Sequence, residues 1–124
     1  VSVVFEVSPL FQESVIVMKA RLPNIIDLIR DFRDFKSANP LAAYGNSDKS
    51  SAPDGNFNQE VPKIRHAHLT HDVSIWYTIS GKNPNVIRLY GVFSHDQSGT
   101  GQPPARNVQK KLAKKMAKQT FIRA

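Results

Sequence analysis

Residues 64–101 read IRHAHLTHDVSIWYTISGKNPNVIRLYGVFSHDQSGTG. The stretch divides into three runs of alternating apolar and polar residues, Ile64 to His71, Val73 to Ile79 and Val86 to Ser94. A period of two places alternate side chains on opposite faces of a strand. Asp72 makes a tight turn between the first two runs, and Gly81-Lys82-Asn83-Pro84-Asn85 makes a hairpin loop before the third. The expected object is an antiparallel meander. One side of the first strand carries Ile64, His66, His68 and Thr70, the other Arg65, Ala67, Leu69 and His71. In the second strand Val73, Ile75, Tyr77 and Ile79 oppose Ser74, Trp76 and Thr78. In the third, Ile87, Leu89 and Phe93 oppose Arg88, Tyr90 and Ser94. Stacked, the strands give one apolar face and one exposed polar face that combines His66, His68, Trp76, Thr78, Arg88 and Tyr90. His95 ends the third strand, where the chain can turn back over that face.

The upstream residues supply packing for the apolar face. Val1, Val3, Phe5 and Val7 alternate against Ser2 and Glu6, which predicts a half-buried strand. Ser8-Pro9 reads as an N-cap followed by proline at the first helical position. A short helix runs to Leu22, with Leu10, Phe11, Val15, Met18 and Leu22 inward, and Pro23 breaks it. Asn24 to Lys36 is the clearest helix: Ile25, Leu28, Ile29, Phe32 and Phe35 follow helical spacing, and Asp27, Asp31, Asp34, Arg30 and Arg33 face water. Residues 38–61, rich in Ser, Asn, Gly, Pro and Asp, form a long polar loop.

Downstream, Gln102-Pro103-Pro104 ends the sheet and a basic helix follows within 106–123. Val108, Leu112, Met116 and Ala113 face inward, and Lys110, Lys111, Lys114, Lys115 and Lys118 point out. The chain of 124 residues suits one domain, 1–124, with one core. Its net charge of +7 is local. Seven of the 17 Lys and Arg fall in 97–124, a segment without Asp or Glu, and the rest of the chain balances ten against ten. Such a basic element favours a polyanion partner, nucleic acid before an acidic protein. A solvated helix face is the plainer reading. There is no cysteine, so disulfide and thiolate chemistry is excluded. No apolar run approaches a membrane span, and the N-terminus carries no basic residue of a signal peptide. A cytoplasmic protein is expected.

The polar face holds parts for cutting RNA with its own 2′-OH as nucleophile. Imidazoles move protons near neutral pH. Arg88 offers a permanent cation whose fork fits phosphate oxygens, and Trp76 and Tyr90 offer planes on which bases stack. His68 or His95 is the candidate for proton transfer, with His66 beside them. Arg65 and the five lysines are candidate RNA contacts. Competing readings stand next to each. His66 and His68 could be partly exposed strand histidines with no task, and Trp76 and Tyr90 could be packing. A His-x-His metal site needs a third ligand, and His71 belongs to the opposite strand face, so no metal and no cofactor are expected. Ser94-His95-Asp96 cannot converge as a triad from adjacent positions. Gly99-Thr100-Gly101 is too short for a phosphate loop.

The chain resembles the RelE/ParE toxin superfamily, most of all its YafO branch of mRNA interferases. The residues that carry this are Arg30-Asp31-Phe32-Arg33-Asp34-Phe35-Lys36, Tyr44-Gly45-Asn46-Ser47-Asp48, Lys63-Ile64-Arg65-His66-Ala67-His68-Leu69, Val86 to His95, and the helix from Arg106 to Phe121. The resemblance runs from about residue 3 to 121, and its specificity lies in the order and spacing of the motifs. It implies an α+β, RelE-like fold: an antiparallel sheet packed on one face by two N-terminal helices, with a basic C-terminal helix. It also implies a toxin of a type II toxin–antitoxin module, a metal-independent endoribonuclease that cleaves translated mRNA on the ribosome, touches rRNA and is held by a cognate antitoxin protein. Catalytic residues vary between branches of the superfamily, so no set carries over whole. Two rivals are a non-catalytic RNA- or ribosome-binding module and a gyrase-inhibiting toxin of the ParE type. The long Lys-rich helix at the end departs from members whose active-site residues lie near the chain end.

Overall fold

The structure, a computed structural model, describes residues 3–50, 55–80 and 85–124. Its elements are β1 (Val3–Val7), α1 (Pro9–Arg21), α2 (Ile25–Ala38), β2 (Lys49–Ser50), α3 (Gly55–Glu60), β3 (Arg65–His68), β4 (Val73–Ser80), β5 (Asn85–Ser94), α4 (His95–Ser98), α5 (Arg106–Ala117) and β6 (Ile122–Arg123). The six strands form one sheet in the order β2-β3-β4-β5-β1-β6. The fold is α+β. The central meander β3-β4-β5 is antiparallel. Ser8 caps α1 by accepting from Phe11 N at 3.0 Å, and Pro9 opens the helix. The expected strand at 64–71 shortens to four residues, because the chain bends at 69–72 to enter β4.

The sheet is mixed, which corrects the expectation of an antiparallel one. β1 lies parallel to β5, with Phe5 opposite Ile87 and Val7 opposite Leu89. Parallel neighbours need a long connection, and everything from α1 to β4 supplies it. β6 then closes the outer side of β1 in antiparallel register.

A second correction concerns the polar face, which is covered at Trp76 and Tyr90, while His66, His68 and Thr78 stay half-buried and Arg88 exposed. On one side of the sheet α1 and α2 bury Phe11, Met18, Ile25 and Phe32 against Phe5, Ile75, Tyr77, Ile87 and Leu89. On the other side α3 and α5 bury Phe57, Ala113 and Met116 against Ile64, Trp76, Tyr90 and Phe93. Trp76 is 1% exposed and Tyr90 7%. Two large aromatics on one face bury too much apolar area to leave wet, at roughly 25 cal/mol per Å². One of the two covering helices is the basic one, and Ala113 and Met116 of its expected inward side make the contact.

The register explains a third correction. Trp76 pairs with Gly91 but Tyr77 pairs with Leu89, so β5 carries an extra residue. The bulge reverses the parity beyond it. Val92 therefore joins the core under α1 and α2, and Phe93 turns to the α3/α5 side, away from Ile87 and Leu89. At the irregularity Val92 N donates to Ser14 Oγ of α1 at 3.0 Å. A Cβ on Gly91 would lie 2.2 Å from the Phe93 ring, so the smallest residue is needed there.

The long polar loop holds structure of its own, β2 and α3, with 51–54 outside the described residues. The expected hairpin at 81–85 lies outside them too, except for Asn85. In α5 the buried side carries Gln109, Ala113 and Met116, while Val108 is exposed. Gln109 is drawn inward by two hydrogen bonds: its Nε2 donates to Gly99 O at 2.7 Å, and its Oε1 accepts from Asn56 Nδ2 at 2.8 Å. Among the described residues no helix is long and apolar enough to cross a membrane.

Candidate active site

The hairpin registers bring distant histidines to one end of the sheet. His68 pairs with Ser74, Ser74 with Phe93, and Val73 with Ser94. One step beyond that last rung, Asp72 meets His95. The His95 backbone N–H donates to Asp72 Oδ1 and to Asp72 O, each at 3.1 Å. Its ring Nδ1 lies 3.5 Å from Asp72 Oδ1. Its Nε2 lies 3.3 Å from Nε2 of His68, with the rings edge to face. A carboxylate beside Nδ1 favours the tautomer protonated there. Nε2 of His95 is then the acceptor and His68 Nε2–H the donor. The result is a proton path Asp72–His95–His68.

Two more rings back this path. His66 stands edge-on to His68, with centroids 6.0 Å apart, and stacks on Trp76 at 4.6 Å. Trp76 lies in turn against Phe57 of α3. Burial lowers the His68 pKa first, and the charges of His95 and His71 lower it further. His68 is therefore a neutral imidazole, and an available base, at pH 7. His71, assigned from the strand alternation to the opposite face, comes close enough to be felt because β3 ends at His68. A cleft of about 450 Å³ opens beside His95, lined by Asp72, Asp96, Gly99, Gly101 and Pro103 among others. Gly99 shapes its floor with φ 76, and a Cβ there would strike Ala105 O.

The predicted residues divide into those this site gathers and those it does not. His66, His68 and His95 come together. Arg88 does not: it pairs with Thr78, four residues along β4 from the His68 rung, about 13 Å at 3.3 Å per residue. Its Nε donates to Glu6 at 2.9 Å and its guanidinium covers the Phe121 ring. Trp76 and Tyr90 are buried packing, Tyr90 edge-on to Phe121, so neither presents a face to a base. Arg65 lies on the opposite sheet face, bound to Asp48 and Tyr77. Lys110, Lys111, Lys114 and Lys115 of α5 and Lys118 just past its end are all exposed. Lys110 and Lys114 border a hollow with Asn56, Gln59 and Glu60 of α3.

Three features went unread in the sequence. The sequence marks Asp72 as a turn residue, and the β4–β5 register places it against His95. Arg21, at the end of α1, donates to Ser94 Oγ at 3.3 Å and sits 3.7 Å from Asp96, which brings a cation to the His95 end. Lys36 and Asp48 are buried together at 2.9 Å, and Asp48 also accepts from Tyr77 OH, Tyr44 N and Arg65 Nε. Ser47 Oγ next door accepts from the His68 N–H at 3.3 Å. This network pins β3, the strand that carries His66 and His68. Among the described residues no three His, Cys, Asp or Glu are grouped to hold a metal ion. Neither a protein-family model, nor a curated protein, nor a solved structure matches the chain.

Proposed function

We propose that the chain is an endoribonuclease that works without a metal, a toxin akin to the YafO branch of the RelE/ParE superfamily, acting on translated mRNA at the ribosome. The observation that carries this reading is the Asp72–His95–His68 line beside an open cleft. His68 accepts the proton of the ribose 2′-OH, and the 2′-oxygen attacks the adjacent phosphorus. The bond from phosphorus to the 5′-oxygen breaks as His95, oriented by Asp72 and entering the step as the imidazolium with a proton on each ring nitrogen, gives its Nε2 proton to the departing oxygen. The products are a 2′,3′-cyclic phosphate and a 5′-hydroxyl. Arg21 supplies the permanent cation at this end of the sheet, the role first given to Arg88, and steadies the phosphorane charge. The two Nε2 atoms part from their resting contact to admit the phosphate. The lysines of α5 hold rRNA phosphates without reading sequence. Following the resemblance, a small antitoxin protein binds the toxin and silences it.

Primer extension on mRNA after induction tests the reading. New 5′ ends inside coding regions, lost in His68→Ala and His95→Ala, support it. Intact mRNA with halted translation would replace it by a non-catalytic ribosome-binding module, and intact mRNA with DNA damage by gyrase inhibition. A single 2′-deoxy substitution at the cut site should block cleavage there.

A further inference from the structure

We infer that the facing Nε2 atoms of His68 and His95 form a two-imidazole site for a late first-row divalent ion, Zn²⁺ or Cu²⁺, whose binding shuts the proton path. Zinc takes imidazole nitrogens at about 2.0–2.1 Å. Two such ligands at a tetrahedral angle stand about 3.3 Å apart. The Nε2 atoms are 3.3 Å apart in the protein. An N–H···N hydrogen bond and a metal bridge thus ask for nearly the same separation, and the shared proton can give way to an ion once His68 takes its Nδ1–H tautomer. The second observation is Asp72, whose Oδ1 lies 3.5 Å from Nδ1 of His95. A carboxylate behind a ligating histidine orients it and raises its donor strength. The cleft beside His95 admits the waters that complete the coordination shell. Only two protein ligands contribute, so the ion exchanges readily and acts as an inhibitor rather than a cofactor. Imidazole donors select zinc and copper over magnesium, which leaves the site untouched by the magnesium that ribosomes require. The binding stands on the geometry alone, and only the inhibition rests on the nuclease reading.

Calorimetric titration of the full, untagged chain with ZnCl2 in a non-coordinating buffer tests it. One equivalent should bind in the presence of millimolar MgCl2. Affinity should fall at least tenfold in His68→Gln and in His95→Gln, both checked for native circular dichroism, and about tenfold in Asp72→Asn. His71→Ala should stay within about twofold of the parent protein. Absence of binding, or binding that survives either His68→Gln or His95→Gln, overturns the inference, as does binding lost in His71→Ala alone. Cleavage of ribosome-bound mRNA by the metal-free protein, measured with and without ZnCl2, separates the two readings. Zinc bound at the pair with no cleavage under any condition keeps the site and removes the nuclease.

Discussion

Replacing Asp48 by Ala should remove a large share of the fold's stability. The Asp48 side chain is fully buried and the Lys36 side chain is 1% exposed. Four groups lean on this carboxylate: Lys36 Nζ at 2.9 Å, Tyr77 OH at 2.5 Å, Tyr44 N at 2.8 Å and Arg65 Nε at 3.3 Å. Without it Lys36 keeps, among the described residues, the Ala42 carbonyl and the faces of nearby rings. Breaking one side of a buried ion pair costs about 3–5 kcal/mol. A domain holds roughly 5–15 kcal/mol in all. With a urea slope of about 2 kcal/mol/M, the midpoint should drop by roughly 2 M. Lys36→Met combined with Asp48→Leu should recover part of the loss, because an apolar pair leaves no orphaned charge. Acid should mimic the mutation. Burial by itself would raise the Asp48 pKa, but the Tyr77 and Tyr44 hydrogen bonds, then the Lys36 hydrogen bond and charge, outweigh it and hold the group below its ordinary 3.8. A carboxyl depressed in the folded state stabilises at pH values above its unfolded pKa. That contribution fades as pH falls from about 4 through the folded value. Urea midpoints from pH 7 down to 2 should therefore fall less in Asp48→Ala than in the parent chain. A midpoint shift under about 0.5 M for Asp48→Ala at pH 7 would refute the reasoning, since it would mean that Lys36 finds water or another partner at no cost.

Three further outcomes are expected. His68→Ala and His95→Ala should each slow cleavage about 10²–10⁴-fold with urea midpoints little changed; full activity in both excludes imidazole catalysis. Arg88→Gln should leave the cleavage rate within about twofold, whereas Arg21→Gln should reduce it by about tenfold or more; the reverse order would restore Arg88 as the phosphate cation. Changing Lys110, Lys114 and Lys118 together to Ala should weaken ribosome association and lower its salt slope by about 2, at roughly 0.7 per single-strand phosphate; an unchanged slope marks α5 as a solvated face.

The local elements were legible because they rest on short-range periodicity. The Ser8-Pro9 start of α1, the apolar stripe of α2 and the alternation in β4 depend on residues within a few positions of one another. Composition alone located the charge on one helix. The pairing of His66 with His68 on one face followed from strand parity. What the sequence could not give is whatever depends on register or on a neighbour far along the chain. The extra residue in β5 reverses Phe93, and no local pattern announces a bulge. The parallel partner of β1 and the cover of α3 and α5 over Trp76 are choices of topology, made by the burial of apolar area. Lys36 continues a helix whose face only the position of Asp48 makes interior. The candidate site divides in the same way. Its histidines stand out by residue type, but the contact of His68 with His95, the support of Asp72 and the removal of Arg88 to another rung are fixed by which residues face one another across strands. Proton transfer needs that spatial order, and only tertiary structure sets it.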